Sequence, residues 1–99
     1  MKKIFPLMLL LMTVSPLFAE TEWTVLVYLA ADNNLCDAAF DDINEMESVS
    51  YNDSVKVVIQ VDPWDDPSSD FDFTEVRRYF ITHDENPDSI GSILLNDLG

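Results

Sequence analysis

The stretch that decides the fold is Trp23-Thr-Val-Leu-Val-Tyr-Leu-Ala30, an apolar run rich in β-branched and aromatic residues. Its length and its polar flanks, Glu22 before it and Asp32-Asn33-Asn34 shortly after it, predict a β-strand. Because apolar residues occupy both alternating sets of positions, we expect this strand to be buried on both faces of a sheet.

A helix is predicted directly after this strand. Asn34 is the predicted N-cap, and Asp37 follows in the first turn, where a carboxylate stabilises the helix dipole. Helical spacing predicts an apolar face formed by Ala39, Phe40, Ile43, Met46 and Val49, and a largely polar face formed by Asp41, Asp42, Asn44, Glu45 and Glu47. We expect the apolar face to pack on the sheet.

A second buried strand is predicted at residues 55–61, after a turn-like segment. A helical connection between neighbouring strands makes those strands parallel, so the first half of the chain predicts a strand, helix, strand unit of the α/β class. Residues 62–72 are predicted to be a loop, residues 75–81 a peripheral strand, and residues 90–98 a short apolar segment that stops as if inside an element. The second face of the sheet therefore has no predicted cover.

Residues 1–19 have the layout of a secretory signal peptide. Lys2 and Lys3 precede an apolar stretch at residues 4–14, and small residues lead to a predicted cut after Ala19. We therefore expect export to the periplasm or the medium, with no membrane anchor once the signal is removed. The mature chain, residues 20–99, would keep three basic and nineteen acidic residues, a net charge of −16. That charge argues against a nucleic-acid partner and favours a solvated surface, cationic partners or divalent ions.

In open α/β sheets, ligands bind at the carboxyl ends of the strands. Asp32, Asn33 and Asn34 follow the first predicted strand and are therefore candidates to border a substrate site. The alternative is that these side chains cap the helix, which is the commoner role of Asx residues at such a turn and the one we favour.

Cys36 and His83 are the only thiol and the only imidazole in the chain, so a nucleophile and base pair is conceivable. We expect instead that Cys36 is a packed residue in the first helical turn and that His83 is solvated. The acidic loop at residues 62–72 suggests calcium, but as an EF-hand loop starting at Asp62 it has Pro67 where glycine is needed and Phe73 where glutamate is needed. No cofactor is predicted.

Six ordered motifs resemble the start of the clostripain-like cysteine peptidases, and they cover essentially the whole mature chain. They are Trp23 to Ala31, Asp32-Asn33-Asn34-Leu35, Asp42-Ile43-Asn44-Glu45-Met46-Glu47, Val57-Val58-Ile59-Gln60-Val61-Asp62, Arg77-Arg78-Tyr79-Phe80-Ile81 and Asp97-Leu98-Gly99. The resemblance implies a caspase-like (caspase-hemoglobinase) fold, a mainly parallel sheet with helices on both faces, of which residues 20–99 are an incomplete N-terminal portion.

The resemblance also implies peptide-bond hydrolysis by a Cys/His dyad downstream of Gly99, with the histidine and the cysteine at the ends of two later strands. Members of this family commonly prefer Arg or Lys before the cut bond. The implied partners are a protein or peptide substrate and the remainder of the peptidase domain, and we expect this chain alone to be inactive. The different-class alternative is a non-catalytic acidic module that binds a cationic partner or divalent ions.

Overall fold

A four-stranded sheet and one helix make up the described part of the chain, residues 21–49 and 53–99 of a computed structural model. The elements in order are β1 Trp23–Ala31, α1 Cys36–Glu47, β2 Val55–Pro63, β3 Arg77–Phe80 and β4 Ile93–Asp97. No helix in the described ranges is long and apolar enough to span a membrane. The predicted signal peptide, including its cut after Ala19, lies outside the described residues.

The strands lie side by side in the order β1-β2-β3-β4. Strand β1 is parallel to β2, with Trp23 opposite Val55 and Ala31 opposite Pro63. Strands β2, β3 and β4 pair antiparallel. The predicted α/β class and the strand, helix, strand unit are confirmed, whereas the sheet over the described residues is mixed, because only its first pair is parallel.

The core lies between α1 and one face of the sheet. Ala39, Phe40 and Ile43 are buried on the helix, as their spacing predicts. Every second residue of β2, namely Val57, Ile59 and Val61, is buried against them. This alternation arises because successive side chains of a strand point to opposite faces, and only one face of this sheet is covered by α1.

The predicted loop after β2 contributes to the same core. Phe71 and Phe73 are buried, and their rings pack edge to face at 5.3 Å between centroids. Phe71 also contacts Phe40 of α1 edge to face at 5.2 Å, and Phe73 lies 6.1 Å from Tyr79 of β3. The acidic members Asp65, Asp70 and Asp72 are exposed, so this loop is solvated on its carboxylate side only.

Three predictions about the helix are wrong. The N-cap is Leu35 and not Asn34, and no side chain caps the helix there. Asn44 and Glu47 belong to the buried face, because Glu47 follows Ile43 by four residues and therefore lies on the same side of the helix. Val49, predicted on that face, lies beyond the end of α1 and is 52% exposed.

The second face of the sheet, here called the open face, is not covered by α1. Alternation and register place on it Leu26 and Tyr28 of β1, Lys56, Val58 and Gln60 of β2, and Arg78 and Phe80 of β3. Leu26 is 75% exposed and Tyr28 is 61% exposed. The expectation that β1 is buried on both faces is therefore not met within the described residues.

Candidate functional site

The carboxyl ends of β1 and β2 form the edge where the sequence predicts a site. Asn33 makes an Asx turn there: its amide nitrogen donates to the carbonyl oxygen of Ala30 at 2.9 Å, and its Oδ1 accepts from the backbone N–H of Leu35 at 2.9 Å. Asp32 and Asn34 are exposed beside it. Asn33 therefore shapes the entry into α1 through this Asx turn, and the favoured expectation that these side chains cap the helix is wrong, because no side chain caps α1.

Cys36 begins α1 and faces the core, with 2% of its surface exposed. Its Sγ accepts the backbone N–H of Trp64 at 3.3 Å and lies 3.3 Å from the Ser69 hydroxyl. In the same turn, Asp37 Oδ1 accepts the backbone N–H of Asp70 at 2.9 Å. The first turn of α1 thus fastens the loop after β2, and the expectation that Cys36 is a packing residue is confirmed.

His83 lies at the opposite end of the unit. It is exposed, as predicted, and its Nε2 is 3.6 Å from a carboxylate oxygen of Glu85. The next residue, Asp84, donates its backbone N–H to the carbonyl oxygen of Glu47 at 2.8 Å, at the last residue of α1. Since Cys36 is the first residue of that helix, about 16 Å of helix separates the two ends. Cys36 and His83 are therefore not assembled as a dyad.

The most highly organised polar cluster surrounds the Glu47 side chain, which is completely buried. Its Oε2 accepts three hydrogen bonds: from the backbone N–H of Gly91 at 2.9 Å, from the backbone N–H of Ser92 at 2.7 Å and from the Ser92 hydroxyl at 2.6 Å. Its Oε1 has no hydrogen-bond partner. One carboxylate oxygen of α1 therefore holds the segment that leads into β4.

Sequence reasoning missed this cluster because it placed Glu47 on the polar face by residue type. The signal was its spacing, four residues after Ile43 and seven after Phe40. A second signal was Gly91, since Gly91 and Gly99 are the only glycines in the chain. A Cβ at position 91 would collide with the Asp84 carboxylate, so the absence of a side chain at Gly91 lets the two loop segments that contain Asp84 and Gly91 lie close together.

The acidic loop after β2 organises itself through local hydrogen bonds. Asp66 Oδ1 accepts both the hydroxyl of Ser68 at 2.6 Å and its backbone N–H at 2.8 Å. These two bonds stabilise the carboxylate and hold the pKa of Asp66 below its ordinary value. In the described ranges, no group of three or more histidine, cysteine, aspartate or glutamate residues is arranged to hold a metal ion.

A shallow acidic groove runs between the second half of α1 and the loop after His83. Its carboxylates come from Asp41 and Glu45 of the helix and from Asp84 and Glu85 of the loop. The groove also borders Ser48, the C-cap of α1, where the helix dipole adds negative potential. The arrangement attracts cations electrostatically, and the Ser48 hydroxyl at its edge donates to the carbonyl oxygen of Glu45 at 2.6 Å.

Comparison of this chain with protein-family models, with curated proteins and with solved structures found no match.

Proposed function

We propose that this chain is the N-terminal scaffold of an exported, clostripain-like cysteine endopeptidase, and that it holds no catalytic residue itself. The observation that carries the proposal is the ordered set of motifs that resembles the start of that family. Five of these motifs fall in one α/β unit, in β1, in the turn before α1, in α1, in β2 and in β3. The dyad, the oxyanion donors and the pocket for Arg or Lys would come from polypeptide beyond Gly99.

The environment of Cys36 supports this division of roles. A nucleophilic thiol must reach a substrate carbonyl, whereas Cys36 is 2% exposed and its sulfur contacts Trp64 and Ser69. The imidazole of His83 is beyond the other end of α1. Asp32 and Asn34 are exposed at the carboxyl end of β1, and in this proposal those side chains lie at the rim of the substrate site.

The test is to sequence the coding DNA past the codon for Gly99 and to assay the complete product. We expect the frame to continue through a strand that ends in His-Gly and a later strand that ends in Cys. The exported product should then cleave peptides after Arg or Lys under reducing conditions, and changing the downstream cysteine to alanine should abolish cleavage. A stop codon after Gly99, or cleavage that depends on Cys36 with the fold intact, contradicts the proposal.

A second candidate function is an acidic module that binds a cationic partner. It is favoured by the groove between α1 and the loop at residues 84–87, where four carboxylates lie beside the negative end of the helix. The expected signature is binding of an oligolysine or oligoarginine peptide that weakens steeply as salt is added, because exposed charges are screened over about 8 Å at physiological ionic strength. Changing Asp41 and Glu45 to the corresponding amides should weaken that binding, and unchanged binding excludes the groove.

A further inference from the structure

The acidic groove beside α1 contains a hydrogen-bond acceptor that no described residue satisfies. Asn44 lines this groove, and its side chain is 9% exposed. Its amide nitrogen donates to the carbonyl oxygen of Phe40 at 3.0 Å, which fixes the orientation of the amide group. Its Oδ1 is screened from water and accepts no hydrogen bond from any described residue. An unsatisfied buried acceptor is unfavourable, so an occupant of the groove that supplies a donor to Oδ1 is favoured.

The groups around Asn44 are acceptors as well. Asp41 and Glu45 are exposed, and they are four residues apart on α1, so their side chains are neighbours on one side of the helix. Asp84 and Glu85 line the groove from the loop. The groove therefore combines four carboxylates with one amide oxygen, a set that binds hydrogen-bond donors and cations.

The loop wall of the groove is held in place by local contacts. Asp84 Oδ1 accepts the backbone N–H of Asn86 at 2.8 Å, and a carboxylate oxygen of Glu85 lies 3.6 Å from His83 Nε2. The backbone N–H of Asp84 also donates to the carbonyl oxygen of Glu47 at the end of α1. The two walls are thus joined before any occupant arrives, which lowers the entropic cost of binding.

The chain has no lysine or arginine left to neutralise this groove. Residues 20–99 contain three of them, Lys56, Arg77 and Arg78, and all three lie on β2 and β3, outside the groove. Lys2 and Lys3 belong to the predicted signal peptide, which is removed on export. Charge complementarity therefore points to a cation that belongs to another molecule.

The arrangement of the acceptors favours an arginine side chain over a metal ion or a lysine. A metal ion needs several ligands around one point, and in the described ranges no three histidine, cysteine, aspartate or glutamate residues meet in that way. A lysine ammonium is a compact point charge with three donors. A guanidinium spreads five N–H donors over a plane, so one edge can bond a carboxylate while another N–H reaches the Asn44 oxygen. The groove volume, about 320 Å³, is near the lower limit for ligand sites and suits one side chain.

We propose that this groove binds an arginine side chain of a separate, basic protein, with the guanidinium on the Asp41 and Glu45 carboxylates and one of its N–H groups on Asn44 Oδ1. The inference rests on the second candidate function, a module that binds a cationic partner, and names the side chain that the groove selects. The groove lies along the second half of α1, whereas the peptidase proposal places its substrate at the carboxyl edge, where α1 begins. The two sites are therefore distinct.

The test titrates three short peptides into the isotope-labelled full chain and follows the amide signals by NMR. The peptides differ only at their central residue, which is arginine, lysine or citrulline, the last having the shape of arginine without its charge. Titrations at about 0.15 M salt screen charges more than about 8 Å away. We expect the arginine peptide to bind about fivefold more tightly than the lysine peptide and about tenfold more tightly than the citrulline peptide. The largest shifts should be at residues 41–48 and 84–87, including the Asn44 side-chain amide.

Three variants assign this preference to named groups. Asn44→Leu removes the acceptor and keeps the size of the side chain, so the arginine and lysine peptides should bind equally. Glu45→Gln removes a charge and should weaken both peptides about threefold. The matched control is Asp42→Asn, which removes an exposed carboxylate of the same helix that does not line the groove, and it should change neither affinity.

The outcomes separate this inference from the candidate function on which it rests. Equal affinity of the wild-type chain for the arginine and lysine peptides, with both lost when Asp41 and Glu45 become amides, keeps the acidic module and overturns the arginine site. Absence of binding by either peptide overturns both.

Three further results would overturn the arginine site. They are citrulline binding as tight as arginine binding, an unchanged arginine preference in Asn44→Leu with the helix intact by circular dichroism, and shifts confined to the loop after β2. If the complete gene product does not bind the arginine peptide, its own polypeptide fills the groove and the assignment to a separate protein is wrong. The peptidase proposal is unaffected by any of these results.

Discussion

The buried Glu47 carboxylate allows a quantitative prediction about the stability of this unit. Replacing it by alanine removes the acceptor of three hydrogen bonds, from the N–H of Gly91, the N–H of Ser92 and the Ser92 hydroxyl. A hydrogen bond to a charged group contributes about 1.5–3 kcal/mol. Gly91 is exposed and Ser92 is half-buried, so water reaches the freed donors and reduces the loss. We expect Glu47→Ala to lower the free energy of unfolding by about 3 kcal/mol.

Two further variants distinguish the contribution of the Glu47 charge from that of its hydrogen-bond acceptor, and from the general effect of alanine in this helix. Glu47→Gln keeps one acceptor oxygen without the charge, and we expect it to cost about 1–2 kcal/mol because neutral hydrogen bonds are weaker. The matched control is Glu45→Ala, two residues earlier on the exposed side of the same helix. It should change stability by less than about 0.5 kcal/mol, because alanine favours the helix and a carboxylate near the C-terminus opposes the dipole.

The assay combines urea unfolding, followed by far-ultraviolet circular dichroism, with amide hydrogen exchange at Ser92. Urea unfolding measures the global loss of stability, and exchange measures the local opening of the segment before β4. A loss of about 3 kcal/mol should make the Ser92 amide exchange roughly 100-fold faster. If Glu47→Ala behaves like Glu45→Ala in both measurements, the three hydrogen bonds do not hold this segment and the reasoning fails.

Three other predictions concern different parts of the unit. Gly91→Ala should destabilise by about 1 kcal/mol in urea unfolding, since its new Cβ displaces the Asp84 carboxylate, and adding Asp84→Ala should remove most of that cost. Ser68→Ala should raise the lowered pKa of Asp66 towards its ordinary value in an NMR carboxyl titration, because it removes the hydroxyl bond to the carboxylate. Since the folded-state pKa of Asp66 is depressed, the two hydrogen bonds from Ser68 stabilise the fold above the unfolded-state pKa, and this stabilisation is lost as pH falls through the folded-state pKa. Phe71→Ala should cost about 3–4 kcal/mol, since its ring joins the helix to the loop, and a cost below about 1 kcal/mol would contradict the burial.

The first three strands and the helix could be predicted because single residue patterns determine them, whereas β4 was predicted only as a short apolar segment. The apolar run of β1 and the β-branched run of β2 have no helical alternative of the same length, and the buried residues Phe40 and Ile43 follow helical spacing. In both elements the property that decides the structure is local, so no knowledge of distant contacts was needed.

The contribution of the loops to the core could not be predicted in the same way, because their amino-acid composition is mostly polar. The segment at residues 62–72 is dominated by aspartate, proline and serine, yet Phe71 is core, and Phe73 just beyond it is also buried. Glu47 is the opposite case, a charged residue that is buried. Its residue type indicates an exposed position, and its burial depends on hydrogen-bond donors more than forty positions later in the chain. A single sequence does not reveal such a partner, since the hydrogen bonds form only after β3 and β4 bring residues 91–92 to the helix.

The candidate site was hardest to predict because the two ends of α1 have different partners. Asn33 and Cys36 at its start organise the two loops that follow the parallel strands, and Glu47 at its end organises the segment around Gly91. The helix therefore fastens both the loop after β2 and the segment before β4 on one side of the sheet, through residues that lie far apart in the chain.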